Sequence, residues 1–305
     1  LNKIDSFIKM VEGLQNNYVF RILAVFILVG LVMAAYLLWA RPYQLRWGAS
    51  EEEVNRPIPG DELHPNPKFL ATRAITIEGT REEIWPWLLQ MGYGRAGFYG
   101  YDILENLGSK RGIHSAERIL PEFQHFKVGD EVPISPVAGM VFYAIEPNQY
   151  LIWRGEEEKS PGVFTWALYP ADKNHTRLVS RIRWSYHWTP LGVLALELFT
   201  EFADHIAVRK VLQGVKGRVE GHIEPMAQQN TEVAIYVLAF LIFLVAVILI
   251  LLRPLTWRSW LAGLAVGLVW LITWYAPVPI WIGGFLVLSA LSAYFLYMLL
   301  WVRSF

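Results

Sequence analysis

Hydrophobic positions along this chain follow two regimes. Four apolar runs, Tyr18–Ala40, Val233–Leu252, Ser259–Ala276 and Pro279–Val302, contain no Asp, Glu, Lys, Arg or His apart from Arg21. About 20 apolar residues at ~1.5 Å rise cross the ~30 Å hydrocarbon layer of a bilayer, so each run predicts a membrane-spanning helix. Between the first and second runs the apolar residues instead alternate with polar ones or recur at helical spacing. That middle predicts one water-soluble domain carried by an otherwise membrane-embedded chain.

The order of elements follows from the same pattern. Residues 1–17 place Ile4, Phe7, Ile8, Val11 and Leu14 on one helical stripe, which suits an interfacial segment or a frayed start. Residues 18–40 form the first span. Residues 41–70 carry Pro42, Pro57, Pro59, Pro65 and Pro67, a density that predicts an extended tether without regular elements. The folded domain is expected over 71–225. It opens with the alternating strand 71–78, followed by a helix capped by Thr80 with Glu83 three residues on. A second short helix is expected over 99–107. Strands follow at 131–134, 139–146, 149–154, 162–169 and 177–188, joined by turns at Pro147-Asn148 and Asp172-Lys173-Asn174, hence a largely antiparallel meander. In the last strand Leu178, Ile182, Trp184, Tyr186 and Trp188 alternate with Arg177, Arg181, Arg183 and His187, which predicts one buried face and one wet face. Thr189-Pro190 starts a long helix reaching Glu224, with Gly214, Gly217 and Gly221 weakening its final turns. A three-helix membrane region spans 233–302.

Composition sharpens this reading. Hydrophobic residues make up 54% of the 305, with 14 Trp, more apolar surface than a soluble domain needs. Formal net charge is zero, so no global field draws nucleic acid. Cys is absent, which removes disulfides and thiol chemistry. The first span is too long for a signal-peptide core and is followed by Arg41-Pro42, so it is expected to be a retained anchor. Lys3, Lys9 and Arg21 precede the first span, Arg253 and Arg258 lie between the second and third, and Arg303 closes the chain. The positive-inside rule puts those segments and both termini in the cytoplasm and the middle domain on the extracytoplasmic, periplasmic side; Arg41 and Arg46 weaken the contrast.

The segments ATRAITIEGTREEIWPWLLQMG at 71–92, GRAGFYGYDILENLG at 94–108, SAERILPEFQHFKVGDEVP at 115–133 and AIEPNQYLIWRG at 144–155 resemble the START-like (SRPBCC, polyketide-cyclase-like) superfamily. WGASEEEVNRPIPGDEL at 47–63 resembles the lead-in of one bacterial branch. The resemblance covers about residues 47–220 and implies an α+β helix-grip fold, a curved antiparallel sheet around a long C-terminal helix. It further implies an apolar interior that holds a lipid or another hydrophobic ligand. Tyr99, Tyr101, Phe142, Trp153, Trp166, Trp184, Tyr186, Leu198 and Phe202 are the residues it assigns to such an interior. The same aromatic lining also suits a dry, self-packed core.

Other chemistry is sparse. Gly92-Tyr93-Gly94-Arg95-Ala96-Gly97 has dinucleotide-binding spacing but follows a helix where a strand is required, so a tight connection is the reading kept. Asp102 and Glu105 share a helical face and are the candidate acid–base pair; capping and pairing with Arg95 or Arg111 is the plainer alternative. The seven His lack metal-ligand spacing and are expected at the surface or rim, and no metal or cofactor is expected. Small residues four apart, Gly30 and Ala34, Gly263 and Gly267, Ser289 and Ala293, allow close helix approach within the bundle or to other integral membrane subunits. Three functions follow in order: a non-enzymatic, membrane-anchored binder of a hydrophobic ligand or lipid, an accessory subunit of a multisubunit, energy-transducing membrane complex, or a cyclase- or hydrolase-type enzyme.

Overall fold

The computed structural model describes residues 18–106, 114–155, 162–185 and 193–252, together with Ile4, Ser6 and Met10. The stripe expected over 1–17, the third and fourth apolar runs, and Gly263, Gly267, Ser289 and Ala293 lie outside the described residues. The chain divides into a central unit, Pro42–Gln229, and a second unit formed by the sequence on either side of it.

The helices are α1 (Tyr18–Ala35), α2 (Arg41–Leu45), α3 (Glu51–Asn55), α4 (Arg81–Leu89), α5 (Asp102–Glu105), α6 (Val193–Val219) and α7 (Met226–Leu252). The strands are β1 (Phe69–Glu78), β2 (Glu131–Pro133), β3 (Gly139–Glu146), β4 (Tyr150–Arg154), β5 (Gly162–Pro170) and β6 (His175–Trp184). They form one antiparallel sheet in the order β1-β6-β5-β4-β3-β2. The chain therefore has the expected α+β layout, with a long helix following the sheet.

α1 and α7 form where the first two apolar runs predict helix. Among the described residues, however, no helix is both long and apolar enough to cross a membrane. α1 is only 18 residues because the backbone widens into a π-helical turn at Tyr36–Ala40. In α7 most side chains beyond Leu238 fall outside the description.

Strand pairing sorts the sheet into two faces. Phe69, Ala71, Arg73, Ile75 and Ile77 of β1 stand opposite Trp184, Ile182, Ser180, Leu178 and Thr176 of β6 on one face. The row continues through Phe164, Trp166 and Leu168 of β5 and Leu151 and Trp153 of β4 to Phe142 of β3. This concave face packs on Val208, Val211, Leu212 and Val215 of α6 to make the main core. The grip of a sheet on its C-terminal helix is thus present. α6 is roughly 40 Å long. Its last turns are not merely weakened by glycine: a Cβ at Gly214 would run into the carbonyl oxygen of Tyr99, so that glycine sets the closest approach of the helix.

The opposite face corrects two expectations. It is not wet, and residues 41–70 are not an extended tether. Ser50 and Glu53 form a capping box that starts α3, and a 3-10 turn follows at Asp61–Leu63. The segment then lies across the sheet beneath the arginines of β6. Arg181, 4% exposed, donates from Nε to Thr72 Oγ1 at 2.9 Å and from Nη1 to Arg56 O at 3.0 Å and Asp61 Oδ2 at 2.6 Å. Its Nη2 donates to Glu53 O at 2.6 Å and Val54 O at 3.0 Å. Arg177 pairs with Glu53 at 2.7 Å, and Arg183 pairs with Asp61 at 2.7 Å and donates to His64 O at 3.1 Å. Proline explains why arginine does this work. A proline-rich segment lacks N–H groups to match its carbonyls, and a guanidinium supplies several donors in one rigid fork.

Candidate functional site

The concave face carries a continuous aromatic strip. Phe126 stacks near Phe142 with centroids 5.3 Å apart, Phe142 meets Trp153 edge-on at 6.4 Å, and Trp153 meets Trp166 edge-on at 5.7 Å. Phe164 stacks on Trp166 at 5.0 Å. Trp153 and Trp166 are 1% and 2% exposed, yet neither indole Nε1 has a hydrogen-bond partner. A buried N–H without an acceptor costs about 1–3 kcal/mol, so two on one wall are unusual for an interior closed on itself. Trp184 completes the row at Gly162, whose bare Cα leaves space for its ring.

Of the remaining residues assigned to the interior, Tyr99 belongs to the same main core. Tyr99 is a wedge with φ of 63°, its hydroxyl donating to Trp87 O at 3.0 Å and the Arg218 guanidinium 4.2 Å above its ring. Burial pushes its phenol well above the usual range. Tyr101 is buried with the Lys210 ammonium 4.7 Å over its ring. Phe202 is half-buried on α6. The side chain of Leu198 and the whole of Tyr186 lie outside the described residues. Arg73 was not singled out by its alternating pattern, though it lies on the concave face. It pairs with Asp204 of α6 at 2.6 Å, and its Nη2 has no partner. Burial raises Asp204, with Arg73 opposing that shift. Beside it His205 is fully buried, not at the surface or rim where the His were expected; burial, then Arg73 and Arg209, pull its imidazole down to about 2.

Asp102 and Glu105 do not pair with Arg95. Asp102 accepts from Ser115 N at 3.0 Å and Ser115 Oγ at 2.6 Å. Glu105 accepts from Phe98 N at 3.2 Å and Gly100 N at 3.1 Å, so both carboxylates hold the 98–100 loop and the chain at Ser115. Burial pushes Glu105 from 4.5 up to about 7, with Asp102 adding to the rise. An acid raised on folding binds its proton more tightly in the native state, so its stabilisation is complete below pH 4.5 and lost as pH rises through about 7. We expect the stability of the full chain, relative to Glu105→Gln, to fall across that window and level off above it. Urea unfolding of both proteins from pH 4 to 8 measures this, and parallel curves would contradict it.

Arg95 belongs to the glycine loop. Gly92 and Gly97 bridge through reciprocal 3.1 Å hydrogen bonds, with φ of 147° and 74°, and Gly94 has φ of 71°. The spacing of glycines serves this hairpin-like connection, as positive φ demands. Arg95 donates from Nη2 to Leu89 O at 2.6 Å and its guanidinium lies 3.7 Å over Phe126 and 5.5 Å from Phe142. Its Nε and Nη1 are buried without partners, and burial pulls it down to about 10. A cleft of about 620 Å³ opens at the β2–β3 end, against Glu131, Val141 and Arg154. Pro133 and Met140 line it; Pro133 O accepts from Tyr93 N at 2.7 Å, and Met140 belongs to the main core.

No family profile matches the chain, and no curated protein does. Among solved structures, a protein of Mesorhizobium loti is 15% identical and aligns over 50% of this chain and 98% of its own, with a TM-score of 0.30. A polyketide-cyclase-like protein of Corynebacterium glutamicum is 13% identical, with 51% and 93% covered and a TM-score of 0.30. CalC of Micromonospora echinospora, a self-sacrificing resistance protein, is 11% identical, with 50% and 94% covered and a TM-score of 0.31.

Proposed function

We propose that the central unit binds an apolar ligand on its concave face and that the flanking helices hold it at a bilayer, without catalysis. The observation that carries the binding reading is the aromatic strip from Phe126 to Trp166, gripped by α6 and bearing two indole N–H groups without acceptors. Asp102 and Glu105 are occupied in holding loops, which favours binding over acid–base chemistry.

Bilayer attachment is supported by exposed apolar side chains around α1 and the turn after it. Ile22, Phe26, Ile27, Leu31, Leu38 and Trp39 are each about half exposed or more. Each such side chain costs on the order of 1.5–3 kcal/mol relative to burial when it faces water, and nothing when it faces hydrocarbon. Among the described residues a Cβ at Gly30 would meet nothing within 4 Å, so the Gly30–Ala34 face suits close approach of another helix. The 18 residues from Ile235 to Leu252 in α7 contain no charge, which suits contact with hydrocarbon. Basic residues flanking the runs favour an extracytoplasmic central unit with cytoplasmic termini.

Native mass spectrometry of the full chain released from mild detergent, followed by organic extraction, tests the binding reading. One apolar molecule retained per chain is expected. Release only of detergent and bulk lipid, with no stoichiometric species at any collision energy, would remove it.

A further inference from the structure

The convex face of the sheet is covered over only part of its width. We propose that the uncovered part, on β2, β3 and β4, is the surface through which two copies of this chain pair, face to face about a two-fold axis running along β3. This goes beyond the ligand reading and does not rest on it.

The lead-in clothes the other part. Thr165 Oγ1 donates to Pro59 O at 3.0 Å, and a Cβ at Gly60 would come within 3.3 Å of both Ile152 and Val163. Those two side chains are buried. Toward the β2 edge the same face changes character: Val141 and Tyr143 of β3 are exposed, and Val137 in the turn between β2 and β3 is 95% exposed. Large apolar side chains grouped in one place, rather than scattered singly, mark a contact surface. The cleft at the β2–β3 end lies among them, lined by Val137 and Val141.

The sheet edge beside this patch does not serve for pairing. β2 ends the sheet, but Pro133 has no N–H, and its carbonyl already accepts from Tyr93 N at 2.7 Å. Strand addition is therefore blocked there, and association is left to the face.

The charges on the face identify what covers it. Strand register places Glu131, Val141 and Arg154 side by side across β2, β3 and β4, in the order acidic, apolar, basic. The Arg154 guanidinium lies 5.5 Å from the Tyr143 ring centroid, which keeps its charge on this face. A half-turn about an axis along β3 through Val141 reverses the row. Across the interface so formed, Glu131 of each copy faces Arg154 of the other, and Val141 faces Val141. An isologous contact needs a surface that is its own complement, and this row is one. The same half-turn carries the exposed Val137 turn to the Gly155 side of the other copy's cleft, so tip and groove engage reciprocally.

The test uses the full chain in mild detergent. Cys is absent, so Val141→Cys introduces a single thiol. Packed sheets lie ~10 Å apart, a gap that a short bismaleimide bridges. Crosslinking at Val141→Cys is expected to exceed that at Asp172→Cys, in the exposed turn between β5 and β6, by about fivefold or more. In the Val141→Cys background Glu131→Arg and Arg154→Glu should each lower the crosslinked fraction by about fivefold, since each sets like charges against one another. The two reversals together should restore it to within about twofold, because the reversed row is again its own complement. Val137→Asp, in the exposed turn, should also lower it, and with Glu131→Arg decides the matter if Arg154→Glu does not fold. Crosslinking at Val141 no greater than at Asp172 overturns the proposal. So does a Glu131→Arg or Val137→Asp variant that crosslinks as well as its parent, the result expected of a dimer made by the apolar helices instead. A double reversal that remains as low as the single ones overturns it too.

Discussion

Arg181→Met is expected to lower the stability of the central unit by about 3–5 kcal/mol, the usual consequence of removing one partner from a buried, hydrogen-bonded ion pair. The guanidinium makes five hydrogen bonds, three of them to carbonyls of Glu53, Val54 and Arg56, and contacts Asp61 at 2.6 Å. Methionine retains the apolar stem and packs in a similar volume, so the loss isolates the fork. The stranded carbonyls belong to a segment whose own donors are depleted by Pro57 and Pro59. At about 2–4 °C per kcal/mol for a unit of this size, the thermal midpoint should fall by roughly 10 °C. Circular dichroism on the full chain measures it, and limited proteolysis should show new cleavage between residues 47 and 65. A midpoint shift of a degree or two with unchanged protection would mean that the lead-in is not held by these contacts.

Gly214→Ala is expected to destabilise by about 2–3 kcal/mol, although the same change in an exposed helix stabilises by about 1 kcal/mol. The sign is set by what the added methyl meets. Here it is the backbone of Tyr99, with the carbonyl oxygen inside contact distance and the Tyr99 Cβ 2.7 Å away. Tyr99 is itself held at positive φ by its hydroxyl bond to Trp87 O and by Glu105, which clamps the N–H groups of Phe98 and Gly100. It has no easy way to retreat, so α6 must shift on the sheet. Chemical unfolding that finds the variant as stable as wild type would show that the helix and the loop do not meet as described.

The elements of the central unit were legible because their signals are local. Thr80 and Glu83 form the predicted capping box, and β3 spans the expected 139–146. β1, β4 and β5 deviate by a residue or two, since strand ends are set by pairing that the sequence does not display. The concave placement of Phe142, Trp153, Trp166 and Trp184 was legible as a set of strand aromatics, while their order along one wall needed the register.

Two things were not legible, for one reason. Arg177, Arg181 and Arg183 read as a solvated face, and the proline-rich stretch read as a tether, because each was judged alone. Their meaning lies in complementarity between donors and acceptors more than a hundred residues apart. A tally of N–H groups against carbonyls in 56–67 would have raised the question of where the missing donors come from. Arg95 was likewise weighed, with Arg111, as the alternative partner of Asp102 and Glu105, but proximity in sequence is a poor guide to what a loop with three positive-φ glycines brings together.

The pinning of the lead-in has a consequence for how the chain is made. Asp61 leaves the ribosome 120 residues ahead of Arg181. At roughly 5–20 residues per second, that carboxylate waits on the order of ten seconds for its partner. β1, whose sheet neighbour is β6, waits almost as long. Until then both are exposed strands and carbonyls in search of acceptors and donors, so the nascent chain is most open to mispairing or capture by a chaperone over this interval. Slowing translation within β6 should prolong that vulnerability, whereas slowing it within α7 should not.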